Sequence, residues 1–222
     1  MKIIEFFGLP GSGKSTLCKE IIQQMGEGRR IYTYQDITRA VSTRKRRIPY
    51  SILVHMNPFR WKYIYLLRRF CKQYESVSKQ AIRVLIALYD ISSLIRVFSK
   101  TGIVILDEGF VQNLTSIAHL HAVAANDRLK VLVEYIQHHL DIFVVECRVD
   151  EEAVISRLRA RGRKDRFNTI QQHADLCNAL RIKKDNLAIV AKQFGRFECV
   201  DLNVPTAVAA RQFFEEIYKT RE

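Results

Sequence analysis

Proline and glycine are scarce, with four and nine among 222 residues. That excludes collagen-like and low-complexity chains. Cysteine is sparse and unpaired by spacing. Five thiols (Cys18, Cys71, Cys147, Cys177, Cys199) are spread along the chain with no C-x-x-C, which reads as reduced thiols in a cytoplasmic protein. The six histidines fall in no H-E-x-x-H or paired Cys/His pattern, so a zinc site built by the chain is not expected. No apolar run reaches membrane length without charge. The richest, 81–98, is interrupted by Arg83, Asp90 and Arg96, and each would be costly in a bilayer. The sequence opens directly on a strand pattern, so no signal peptide is expected.

Acids are the other shortage, 23 against 36 Lys and Arg, for a net charge of +13. The deficit is local. Between residues 29 and 100, sixteen bases meet only Asp36, Glu75 and Asp90, so this block holds the whole excess and the remainder is neutral. A solvated basic surface would account for such charge, but its confinement favours a segment facing something anionic: a phosphorylated small molecule, a nucleic acid or a lipid surface. What is present in quantity is apolar material, 48% of the chain, enough for a sizeable core.

Periodicity gives alternating strands and helices. Apolar runs at 3–7, 30–34, 102–106, 143–145 and 197–200 read as strands. Helical patterns fill 14–25, 111–140, 151–160, 169–194 and 206–220. This alternation predicts α/β architecture, a parallel sheet covered on both faces. Residues 29–100 interrupt it with a basic, mostly helical insertion in which Phe59, Trp61, Tyr63, Tyr65, Phe70 and Tyr74 mix with Arg and Lys. The mixture suits either inward-packed aromatics or a helix lying on an anionic lipid surface. No repeat or linker divides the chain, so residues 1–222 read as one domain.

Three stretches carry chemistry. Gly8-Leu9-Pro10-Gly11-Ser12-Gly13-Lys14-Ser15-Thr16 is a complete G-x-x-x-x-G-K-[ST] match, placed after a strand and opening a helix. Backbone N–H groups of such a loop curl around phosphate oxygens at the positive end of the helix. Lys14 reaches the β- and γ-phosphates, and the Ser15 hydroxyl joins the Mg²⁺ shell. Next, Ile103-Val104-Ile105-Leu106-Asp107 places an acid at the end of a buried strand, where it would hold Mg²⁺ beside the loop. Glu108 could polarise water, orient a substrate or face solvent. Third, the stretch from Arg157 to Arg166 brings six arginine and lysine residues around Gly162. Guanidiniums here would complement charge developing on a transferred phosphoryl group, while the last turn of a helix favours one or two of them anyway.

In this order the three stretches resemble the P-loop nucleoside-monophosphate kinase superfamily, and most of all thymidylate kinases. The likeness spans roughly 1–30 and 101–222. It implies a three-layer P-loop kinase sandwich with a five-stranded parallel sheet, a helical acceptor-side insertion at 29–100 and an Arg-rich LID at 157–168. It further implies ATP and Mg²⁺ as cofactors, Arg157, Arg161 and Arg166 as LID arginines, and Asn203 near the adenine. Arg161 and Arg166 then join Lys14 and Asp107 as catalytic candidates. The thymidylate-kinase Asp-Arg after the third strand is Asp107-Glu108 here, and Arg-Glu-Pro after the second is Tyr34-Gln35-Asp36. Asp36 stands where P-loop kinases of hydroxyl acceptors place a general base, and equally where a turn Asp would cap a helix. Arg44-Lys45-Arg46-Arg47 reads as a basic loop near the acceptor or a solvated run. The expected activity is transfer of the γ-phosphate of MgATP to a small anionic acceptor such as a nucleotide. The alternatives are a kinase of a neutral hydroxyl compound and a P-loop ATPase acting on a protein or nucleic acid. No L-S-G-G-Q or N-K-x-D motif occurs.

Overall fold

Short apolar, β-branched runs without polar alternation form strands covered on both faces. The computed structural model describes residues 2–25, 31–33, 57–98, 102–117, 123, 126–160, 167, 170, 172–195 and 197–218, with backbone alone at 94–98 and 216–218. Five strands, β1 (Lys2–Phe7), β2 (Ile31–Thr33), β3 (Ile103–Leu106), β4 (Ile142–Arg148) and β5 (Glu198–Asp201), pair in parallel in the order β2-β3-β1-β4-β5. The expected three-layer α/β architecture, a five-stranded parallel sheet with helices on both faces, is the one observed.

Period-2 alternation divides β1 between two cores. Ile4 and Phe6 face α1 (Lys14–Met25) and α8 (Thr206–Gln212), joining Leu17, Ile21, Val145, Ala209 and Phe213. Ile3 and Phe7 face the opposite layer. That layer draws on α2 (Pro58–Cys71), α3 (Lys79–Phe98), α4 (Phe110–Ile117), α5 (Asp127–His139), α6 (Glu151–Ala160) and α7 (His173–Gln193). Glu5 lies on this second face and is fully buried.

Two expected helices are shorter than their apolar patterns. The pattern over 111–140 is two helices, because the Asn126 side chain accepts the N–H groups of Arg128 and Leu129 and starts α5 afresh. The pattern over 206–220 is α8 followed by a π-helical turn at Phe213–Tyr218.

In the insertion, α2 begins at Pro58 behind an Asn57 side chain that accepts the Phe59 N–H. Its aromatics divide. Tyr63 and Phe70 are fully buried, Tyr63 stacking on Tyr89 with centroids 4.1 Å apart. Trp61 and Tyr65 point outward with Lys62, Arg68, Arg69 and Lys72. Arg60 turns inward and donates to both carboxylate oxygens of Asp90, at 2.9 and 3.1 Å. Among the described residues, no helix is long and apolar enough to cross a membrane.

Candidate active site

The loop at the end of β1 turns through Gly11 and Gly13, at φ +85° and +99°, a backbone region that disfavours other residues. Lys14 closes it from within. Its ammonium donates to the carbonyls of Gly8 (3.1 Å) and Leu9 (2.9 Å) and contacts Ser12 Oγ at 3.4 Å. Burial pulls the Lys14 ammonium below the usual lysine range, and the carboxylates of Glu108 and Asp107 oppose that pull. Pro10 lies at the outer bend, and Thr16 is exposed one residue beyond Ser15, its N–H bonded to Gly13.

Across this loop, the end of β3 delivers Asp107. Ser15 Oγ donates to Asp107 Oδ2 at 2.6 Å, although the two residues lie 92 positions apart. β3 is the direct neighbour of β1, with Glu5 opposite Leu106, so the strand-end acid and the first turn of α1 meet by register. A hydroxyl and a carboxylate are hard oxygen donors, the chemistry Mg²⁺ selects. The fit therefore rests on the donor pair itself.

Arg157, on the last turn of α6, reaches over the loop. Its Nη1 lies 3.1 Å from the Ser12 carbonyl and 3.5 Å from that of Gly11. A β-carbon on Gly13 would sit 3.7 Å from both Arg157 Nη1 and Leu202 Cδ1, so Arg157 and Leu202 flank the loop. Asn203 follows Leu202, but its side chain ties two loops together. It accepts the Asp150 N–H at 2.9 Å and donates to Asp150 Oδ1 at 3.4 Å. Beside it opens a cleft of about 730 Å³, bounded by Gly8, Leu9, Glu146, Arg148, Lys184 and Asp201. Within the cleft, Glu146 accepts from Arg148 (2.8 Å) and from the Cys199 thiol (3.3 Å).

The structure thus brings Gly8, Pro10, Gly11, Ser12, Gly13, Lys14, Ser15, Thr16, Asp107 and Arg157 to one end of the sheet, with Asn203 at the edge of the cluster. Asp36, the Arg44–Arg47 tetrapeptide, Arg161 and Arg166 lie outside the described residues. Sequence reading passed over Glu5. Its carboxylate accepts the Phe110 N–H at 2.7 Å and the Gln112 N–H at 3.2 Å. Burial pushes this carboxyl up to about 7, against the pull of backbone N–H groups at Gln112, Phe110, Val111 and Gly109. The signal was present: one acid inside a run that is otherwise apolar from Ile3 to Phe7.

No family model matches this chain, and no curated protein matches it. Among solved structures it is similar to deoxyadenosine kinase from M. mycoides in three states. The structure with bound dATP is 17% identical, with a TM-score of 0.49, over 98% of this chain and all of that one. The structure with bound dCTP is 18% identical, with a TM-score of 0.48, over 98% of this chain and 99% of that one. The one with the products dCMP and a flexible dCDP is 16% identical, with a TM-score of 0.46, over the same shares.

Proposed function

We propose that this protein is an ATP-dependent phosphotransferase of thymidylate-kinase-like design, moving the γ-phosphate of MgATP to a small anionic acceptor such as a nucleotide. The observation that carries the reading is the 2.6 Å contact between Ser15 and Asp107 beside Lys14. It joins a phosphate-cradling loop to a strand-end carboxylate, the pair of hard oxygen donors a metal–nucleotide site needs.

The chain's residues divide the task. The loop N–H groups and the N-terminus of α1 hold the phosphates. Lys14 exchanges its carbonyl partners for phosphate oxygens, and its buried charge acts where water screens it least. Ser15 and Asp107 would hold Mg²⁺, which when bound neutralises charge on the β- and γ-phosphates. Arg157 covers the loop as a LID arginine, and Leu202 flanks the loop beside it. Arg161 and Arg166 are assigned by resemblance to the transferred phosphoryl group. The basic block at 29–100 supplies the acceptor side, and its +13 charge favours an acceptor that already carries phosphate. Such an oxygen is a nucleophile at neutral pH and gives Asp36 no proton to remove.

The test is ADP release across nucleoside monophosphates, nucleosides and phosphorylated sugars, with Lys14→Ala as control. Turnover that requires a phosphorylated acceptor and vanishes in the control supports the proposal. Acceptor-independent hydrolysis makes the protein an ATPase. Turnover on neutral nucleosides that collapses in Asp36→Asn makes it a hydroxyl kinase.

A further inference from the structure

Glu5 is an acid inside a strand that is otherwise apolar from Ile3 to Phe7. It is fully buried on the β1 face shared with Ile3 and Phe7. A buried carboxyl is costly unless its oxygens find hydrogen-bond donors. What Glu5 does there is specific. Its two oxygens take separate backbone N–H groups, Phe110 at 2.7 Å and Gln112 at 3.2 Å, in the first turn of α4. The preceding residue, Gly109, has no space for a side chain, since a β-carbon there would lie 2.4 Å from Glu5 Cδ. Gly109 is held from its other side too, because its carbonyl accepts the Asn113 side-chain amide at 2.8 Å. The turn from Asp107 to Phe110 is therefore fastened at its far end by a residue of the central strand. That same strand runs on, three residues later, into the Gly8 loop.

We propose that Glu5 is a positioning residue for the reaction: by clamping the first turn of α4, it fixes Asp107 opposite Ser15. This rests on the function proposed above, in which those two residues hold the metal. A glutamine at position 5 presents one acceptor oxygen and one NH₂, so one of the two backbone N–H groups then meets a donor. The turn loosens while most of the volume is kept. In Gly109→Ala the clash loosens the same turn from the other partner. Leu114→Ala is the control. It truncates a fully buried residue in the same helix, which weakens α4 without touching the clamp.

Each variant would be checked for folding by circular dichroism and thermal melting. Mn²⁺ affinity in the presence of a non-hydrolysable ATP analogue would then be measured by water-proton relaxation, and the Mg²⁺ dependence of turnover alongside it. The expected result is that Glu5→Gln and Gly109→Ala bind Mn²⁺ about tenfold more weakly, while metal-free nucleotide affinity changes less than twofold and Leu114→Ala stays near wild type. Equal loss in Leu114→Ala, or unchanged Mn²⁺ affinity in folded Glu5→Gln and Gly109→Ala, overturns the inference. Failure of the function proposal looks different: the wild type binds metal and nucleotide, and the variants separate as expected, yet no acceptor is phosphorylated.

Discussion

Glu5→Gln should also remove part of the protein's response to pH. The Glu5 carboxyl moves from 4.5 when unfolded to about 7 when folded, so between those values the native state binds the proton more tightly. Its contribution to stability is then greatest below 4.5 and is lost as pH rises through about 7. The displacement corresponds to about 3 kcal/mol in all, most of it falling between pH 5 and 8. Other groups titrate over that range, but they do so in both proteins and cancel in the difference. Urea unfolding of wild type and Glu5→Gln at several pH values should therefore show the wild type losing about 2–3 kcal/mol relative to the variant from pH 5 to pH 8. At low pH the protonated acid and the amide each offer one acceptor oxygen and should be nearly equal. Parallel curves would refute the reasoning. So would a wild type that gains on the variant as pH rises, since the backbone donors and the N-terminus of α4 would then be holding the carboxylate ionised.

Three further outcomes test the candidate site. Lys14→Ala should lower kcat by about 10²–10³-fold or more, the scale for removing one preorganised donor, while circular dichroism stays native. Asp107→Asn should raise the Mg²⁺ concentration needed for half-maximal rate by at least about tenfold, because an amide oxygen binds a hard cation more weakly than a carboxylate, and an unchanged metal requirement would make Asp107 structural. Arg161→Ala and Arg166→Ala should reduce kcat more than they raise the KM for ATP, and the reverse split would mark them as ground-state binders.

Much of this arrangement was legible in the residue order. A β-branched run, a glycine loop and a helix with apolar residues every third or fourth position set β1, the loop and α1 to within a residue. Asp107 was found because an acid at the end of an uninterrupted apolar strand is conspicuous. The rest depended on partners that periodicity does not name. Alternation places Glu5 on a face of β1, but whether that face meets water or the first turn of α4 is decided by residues more than a hundred positions away. Asn203 was sought for its place after the last strand, and its bonds to Asp150 follow from the return of β5 beside β4. The break between α4 and α5 lies in a cap formed by Asn126, which the continuous apolar pattern around it concealed. Trp61 and Tyr65 share a helix with Tyr63 and Phe70, and composition alone could not assign the four to opposite sides.

The central position of β1 also bears on how the site assembles. β1 pairs with β3 on one edge and β4 on the other, Glu5 lying opposite Leu106 and Val144. A slip of one residue against either neighbour would exchange the strand's two faces. Glu5 would swing away from α4 into the apolar layer beneath α1, and the Gly8 loop would shift by about 3.3 Å along the strand. Ser15 could then no longer meet Asp107. Correct seating of one six-residue strand thus commits both halves of the site together, and a chain that misregisters there during folding would carry neither a formed loop nor a placed acid.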